Sequence, residues 1–142
     1  MRFFIAGIMQ GSRQDPGIHR QDYRTAIKKI ILHKYPQADI ICPFDLHPDS
    51  PYYGPVEGKK TFLDMLDRAR EVDYLIAYLP EASMGTAIEL WEAYEDGVPI
   101  LSISPMTKNW VVKFFSARIF ATLEEFAEFI ANDGLEKITP GN

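Results

Sequence analysis

The chain has 142 residues, 46% of them hydrophobic and 13% aromatic, with a formal net charge of -5. That length and composition suit one domain, residues 1–142, around one core, and they exclude a disordered chain. The 15 Lys and Arg residues are scattered without a basic stripe, which excludes a nucleic-acid polymer as partner but leaves room for a small anionic ligand.

Residues 2–8 form a short, continuous apolar run that reads as a buried strand. A polar loop, residues 10–17, follows it. From 18 to 35 the apolar positions Tyr23, Ile27, Ile30, Ile31 and Tyr35 recur at helical spacing, and Pro36 ends the helix. Residues 39–42 read as a second short strand. It ends on the single cysteine, Cys42, which excludes a disulfide framework or a cysteine metal cluster and suits a buried apolar position. Residues 43–55 are a long loop with four prolines, together with Phe44, His47, Tyr52 and Tyr53, and make a candidate lid. A helix is expected over 56–72 with Phe62, Leu63, Leu66 and Ala69 on one side. A third strand is expected at 74–79, then a helix at 86–95 closed by Gly97 in a left-handed cap. A fourth strand at 98–103, a short helix from Trp110 to Phe115 and a last strand at Arg118–Phe120 follow. Thr122 opens a final helix with a capping box, and the tail after Asn132 reads as polar and frayed. No apolar run reaches the ~20 residues of a membrane span and no signal-peptide pattern opens the chain, so a cytoplasmic protein with no membrane partner is expected.

Strands alternating with helices imply right-handed βαβ units. The expected fold class is α/β, a flavodoxin-like three-layer arrangement with a five-stranded parallel sheet in the order 2-1-3-4-5. Its ligand crevice lies where the loops after strands 1 and 3 diverge. Those loops, residues 9–17 and 80–85, should therefore meet in space.

Glu89 is the central candidate. It sits close to the start of a helix, whose dipole favours an ionised carboxylate, and a lone carboxylate can attack a sugar carbon. A plainer reading stands beside it: Thr86-Ala87-Ile88-Glu89 is also a capping box, in which Glu89 only bonds back to the backbone. Gly85 suits close approach of a ligand or a positive φ, and Ser83 suits a phosphate, a sugar hydroxyl or a turn cap. Gly7, Gly11, Ser12 and Arg13, at and after the first strand, offer backbone N–H groups, a hydroxyl and a guanidinium to an anion. They form neither a Walker loop nor a GxGxxG fingerprint. The Ser/Thr-rich phosphate loop of a flavodoxin is also missing, so FMN is not expected. Asp64 and Asp67 are candidates for handling a proton beside Glu89, or exposed charges on an amphipathic helix. His47 reads as a ligand contact or a surface residue. The three separated histidines have no metal-binding spacing, and no metal or organic cofactor is expected.

The run FFIAG with its polar loop, then DYLIAYLP, SMGTAIELWEAY and GVPI, resembles the nucleoside 2-deoxyribosyltransferase family. The resemblance extends from Phe3 to Ile103 and is strongest between Asp73 and Pro99. It implies a flavodoxin-like fold and cleavage of the N-glycosidic bond of a nucleoside through a covalent sugar on a Glu, which falls on Glu89. It also implies an acid from the preceding helix, Asp64 or Asp67, and assembly as a dimer or larger. In such assemblies a neighbouring subunit completes the sugar site, a role assigned here to Asn109. Ser83 and the loop ending Gly11-Ser12-Arg13 are similar to the branch that hydrolyses 2′-deoxynucleoside 5′-phosphates. Against that branch, its earlier loop Ser and Arg are Ile8 and Gln10 here, and Trp91 stands where the family has Gly. Two alternatives remain. One is a phosphoribohydrolase of the lysine-decarboxylase-like type, whose preceding glycine pair is absent here. The other is a non-catalytic nucleotide-binding module.

Overall fold

The computed structural model describes residues 1–11, 13–15 and 17–138. Five strands, β1 (Arg2–Gly7), β2 (Asp39–Ile41), β3 (Tyr74–Tyr78), β4 (Ile100–Ile103) and β5 (Arg118–Phe120), make one sheet. All pairings are parallel and the order is β2-β1-β3-β4-β5, the flavodoxin-like arrangement that strand–helix alternation predicts. The helices are α1 (Asp22–Lys34), α2 (Pro43–Leu46), α3 (Pro55–Arg70), α4 (Met84–Glu95), α5 (Trp110–Phe115) and α6 (Leu123–Ala131).

The period-two alternation of the strands divides the core into two layers. Phe3 and Ile5 of β1 join Tyr23, Ile27 and Ile31 of α1 and Phe126 and Ile130 of α6 on one face. Phe4 and Ala6 face the other way, against Met65 and Ala69 of α3, Leu90 and Ala93 of α4 and Val112 of α5. The crossover from β1 through α1 to β2 thus covers one face, and the crossover through α3 to β3 covers the other. The edge beyond β1 and β3 is left open, where the chain's direction of winding reverses.

Three expectations are corrected. The 43–55 loop is not structureless: it holds α2 and a 3-10 turn, Ser50–Tyr52, each begun by a proline in its first turn. Of the tail after Asn132, residues 133–138 are described and are packed, since a 3-10 turn at Gly134–Lys137 buries Leu135 to 2% exposure. The buried side of α3 is Met65, Leu66 and Ala69, whereas Phe62 and Leu63 are exposed. Gly97 does end α4 with φ 71°, its N–H donating to Tyr94 O at 3.0 Å. No helix among the described residues is long and apolar enough to cross a membrane.

Candidate functional site

The loops after β1 and β3 do meet. A pocket of about 400 Å³ opens at the C-terminal edge of β1 and β3, lined by Gly7, Met9, Gln10 and Gly11 from the first loop and by Ser83, Met84, Gly85, Thr86 and Glu89 around the start of α4. Ser50, Pro51 and Phe62 close its far wall. The volume is that of a small-molecule site. A larger hollow, about 750 Å³, lies between α1 and α6, but it is an open groove away from this edge, and no carboxylate lines it.

The local chain dictates the pocket floor. Gly11 takes φ 58°, and a Cβ there would stand 2.9 Å from both His19 Nε2 and Ile8 Cδ1, so only glycine fits the turn. His19 Nε2 lies 3.3 Å from Glu81 Oε1, which straps the first loop to the second. At the end of β1 the ring of Tyr23 packs directly on Gly7, and its hydroxyl donates to Ile8 O at 3.1 Å.

Helix α4 begins two residues before Thr86. Ser83 is its N-cap, with Oγ accepting from Thr86 N at 3.4 Å. The capping box proposed for Thr86 and Glu89 therefore does not form, because Ser83 already satisfies the first-turn donor. Glu89 falls at the sixth helical position, one and a half turns in, where its carboxylate no longer meets the free N–H groups. It takes part in no hydrogen bond or ion pair among the described residues, and its oxygens are not sealed from the pocket. Burial pushes its pKa up from 4.5 to about 8, while the Arg24 guanidinium pulls the other way. Desolvation thus outweighs the attraction of Arg24, and Glu89 holds its proton more tightly than the sequence suggests. Among the described residues it is the one ionisable group that lines this pocket.

The other expected site residues divide. Gly7, Gly11, Ser83 and Gly85 line the pocket with Glu89. Gly85 does not adopt a positive φ; it sits in the first turn of α4 with nothing within 4 Å of where its Cβ would be, so the pocket wall is open there. Ser12 lies outside the described residues. Arg13 is turned away onto its own loop: its Nε lies 3.3 Å from Asp15 Oδ1, and the same oxygen accepts from Gly17 N at 2.7 Å. Those two partners hold the Asp15 carboxyl below its ordinary range.

Asp64 and Asp67 do not approach Glu89. They line a separate cleft with Arg2, Asp39 and Arg68, and Asp64 pairs with Arg68 at 2.9 Å. The reason is helical phase. Phe62 points at the pocket, and a residue two further on is turned about 200° around the helix. Asp67 lies more than a turn further from the open edge. His47 accepts or donates at 3.2 Å to the Tyr53 hydroxyl and packs edge-on against that ring, outside the pocket lining. Asn109 is the N-cap of α5, its Oδ1 accepting from Val111 N at 3.0 Å and Val112 N at 3.3 Å, also outside the lining.

Sequence reasoning missed Phe62 as a wall, and it missed Arg24. Arg24 is 2% exposed. Its Nη1 donates to Ile5 O at 2.7 Å, its Nη2 to Gly7 O at 3.1 Å and its Nε to Gln21 Oε1 at 2.7 Å. Its spacing from Ile27 and Ile31 sets it on the buried stripe of α1, but an arginine there reads from sequence as a charge at the edge of that stripe.

No protein-family model and no curated sequence matches the chain. Solved structures do match. A 2-deoxyribosyltransferase from Bacillus psychrosaccharolyticus has a TM-score of 0.65 at 16% identity, over 89% of this chain and 90% of that one. A CMP N-glycosidase from Clostridium botulinum has a TM-score of 0.53 at 20% identity, over 93% of this chain and 99% of that one. A flavoenzyme NAD(P)H:(acceptor) oxidoreductase, FerB from Paracoccus denitrificans, has a TM-score of 0.54 at 15% identity, over 96% of this chain and 98% of that one. Likeness at such identities establishes the fold, which hosts both nucleoside and flavin chemistry. The first two neighbours match the family that the motifs around Glu89 resemble.

Proposed function

We propose that the chain is an N-glycosidase or deoxyribosyl transferase of the 2-deoxyribosyltransferase family, acting on a nucleoside with Glu89 as nucleophile. One observation carries this reading: the Glu89 carboxylate lines a pocket at the switch point of a parallel sheet and makes no hydrogen bond or ion pair among the described residues. The motifs around it support the same chemistry, as do two structural neighbours, one a 2-deoxyribosyltransferase and one an N-glycosidase of the nucleotide CMP.

In this mechanism ionised Glu89 attacks C1′ of the sugar. An ester bond forms as the C1′–N bond breaks, and the base leaves with the bonding pair and takes a proton. Water, or the nitrogen of a second base, then attacks C1′ and frees the carboxylate. Asp64 and Asp67 lie in another cleft, so the proton for the departing base comes from outside the described lining, from water at the open mouth or from a partner subunit. Met9, Phe62 and Met84 give the base an apolar seat beside the polar sugar contacts of Ser83 and Gln10. The 5′ group in this reading is a hydroxyl. Arg13 is spent on Asp15, and Gln10 lines the pocket without a charge to meet a phosphate.

The test is base release followed by chromatography. Deoxynucleosides, ribonucleosides and their 5′-monophosphates are incubated with the protein, with and without a second free base. Release from deoxynucleosides that falls by at least ~10³-fold in Glu89→Ala supports the reading, since removing a nucleophile costs on that order or more. Release that persists in Glu89→Ala, or none from any substrate, overturns it. Preference for 5′-monophosphates overturns only the hydroxyl assignment.

A further inference from the structure

Arg24 is buried, charged and paired with no carboxylate among the described residues. An isolated buried cation is costly, so a position that keeps one calls for an explanation. Its bonds tie it to the end of β1: Ile5 O and Gly7 O both accept from its guanidinium, and Gly7 is part of the pocket wall. Cys42 Sγ, at the end of β2, lies 3.9 Å from Nη1, and the Tyr23 ring sits 5.0 Å from the guanidinium carbon. Helices α1 and α4 cover opposite faces of the sheet. Arg24 and Glu89 therefore approach the same open edge from opposite sides, with the last residues of β1 between them.

We propose that Arg24 is a positioning residue for Glu89: it fixes the strand end that forms the pocket wall and sets a positive charge behind the carboxylate, stabilising the ionised nucleophile without touching substrate. This rests on the reading of Glu89 as nucleophile. The groups whose charge is felt between these elements are few. Arg24 acts on Glu89, and Glu89 in turn acts on Tyr23, which also senses Cys42 and Tyr78. Helix α3 and the turn before α4 present Phe62 and Ser83 to the pocket, neither a charge at neutral pH. The direction agrees: the guanidinium lowers Glu89 against the upward push of burial. The rival explanation is a plain structural bolt between α1 and β1. A bolt depends on donors and shape, whereas an electrostatic role depends on charge.

The experiment is a carboxyl-carbon NMR titration of Glu89, assigned by its loss in Glu89→Gln, in the wild-type protein and in Arg24→Lys, Arg24→Gln and Arg24→Met. Arg24→Lys keeps the charge and should leave the Glu89 midpoint within about half a pH unit of wild type. Arg24→Gln keeps a donor for the β1 carbonyls but no charge, and should raise the proton affinity of Glu89 about tenfold, one pH unit. Arg24→Met, offered in case the first neutral variant does not fold, should do the same. In base release, the pH profile of kcat/KM should move alkaline in the neutral variants and hold in Arg24→Lys. A Glu89 midpoint unchanged in a folded neutral variant overturns the proposal and leaves Arg24 a bolt. Because the titration needs no turnover, it decides the coupling even if no substrate releases a base, a result that would sink only the catalytic reading.

Discussion

A carboxylic acid in a desolvated pocket, with no hydrogen-bond partner among the described residues, is easier to keep protonated than ionised, and at Glu89 that preference links stability to reactivity. In the unfolded chain the group titrates near 4.5; in the folded chain burial pushes it to about 8. Below 4.5 both states are protonated and the residue contributes no pH dependence. As pH rises toward 8 the unfolded chain releases its proton first, so the folded state loses stability across that window and has lost it fully above. At about 1.4 kcal/mol per unit the shift is worth at most about 5 kcal/mol, and water reaching the pocket reduces this to about 2–3 kcal/mol. Glu89→Gln should therefore melt roughly 5–10 °C above wild type at pH 9 and within a degree or two of it at pH 4. Calorimetric melts across pH read this directly, and a difference that does not vary with pH would refute the burial account. Base release should run the other way, with kcat/KM rising through about pH 8 as the nucleophile ionises. A residue that makes the protein less stable where it makes it more reactive is the pattern expected of a functional group rather than a structural one.

At the scale of elements, the end of β1 and the start of α4 define the site, and their two glycines should behave oppositely. A Cβ at Gly7 would lie 2.4 Å from Tyr23 Oη and 2.8 Å from Tyr23 Cζ. Tyr23 cannot yield, since it stacks on Tyr78 at 4.2 Å and bonds to Ile8 O. Gly7→Ala should cost about 1–3 kcal/mol, read as a lower urea midpoint at unchanged slope. Gly85→Ala meets nothing within 4 Å and gains helix propensity in the first turn of α4, so its midpoint should hold or rise. Its methyl enters the pocket, and KM should rise several-fold while stability does not fall. Equal midpoints for the two variants would refute this picture of the wall. These elements also show what the sequence makes legible. Strand–helix alternation is a strong signal, and it carried the sheet order and the meeting of the two loops. Competing short signals are weaker: both Ser83 and Thr86 can cap a helix, and only the turn after β3 decides for Ser83. Helix α3 has enough apolar residues to bury either of two stripes. Its phase, set by packing on β1 and α4, moved Phe62 to the pocket and Asp64 and Asp67 away from it. Arg24 is illegible for a different reason: besides the nearby Gln21 side chain, its acceptors are the distant carbonyls of Ile5 and Gly7, which no side-chain pattern records.

Across the whole molecule, apolar surface is unevenly distributed. Met84, Ile88 and Trp91 recur at i, i+4 and i+7 along α4 and remain 85%, 40% and 43% exposed. On α5, Trp110 and Phe114 meet edge to face, with Trp110 76% exposed. Val56 and Leu63, seven residues apart on α3, are exposed as well. Single exposed apolar residues need no explanation, but stripes of them on three neighbouring helices are the pattern of an interaction surface. The C-terminal ends of α3 and α4 are by contrast closed off by Arg70, which pairs with Glu92 at 3.1 Å and with Asp96. A second copy of this chain fits the resemblance to a family of dimers and larger assemblies, and Met84 belongs both to the stripe and to the pocket lining. Self-association and catalysis should then be coupled. Sedimentation should show a dimer or larger at micromolar concentration, and Ile88→Lys, at a position outside the pocket lining, should shift it toward monomer. In that variant base release per chain should fall and should recover in part as protein concentration rises, because mass action restores the contact. A monomeric wild-type protein that is fully active, or an Ile88→Lys monomer as active as the parent at every concentration, would show that the pocket is complete within one chain.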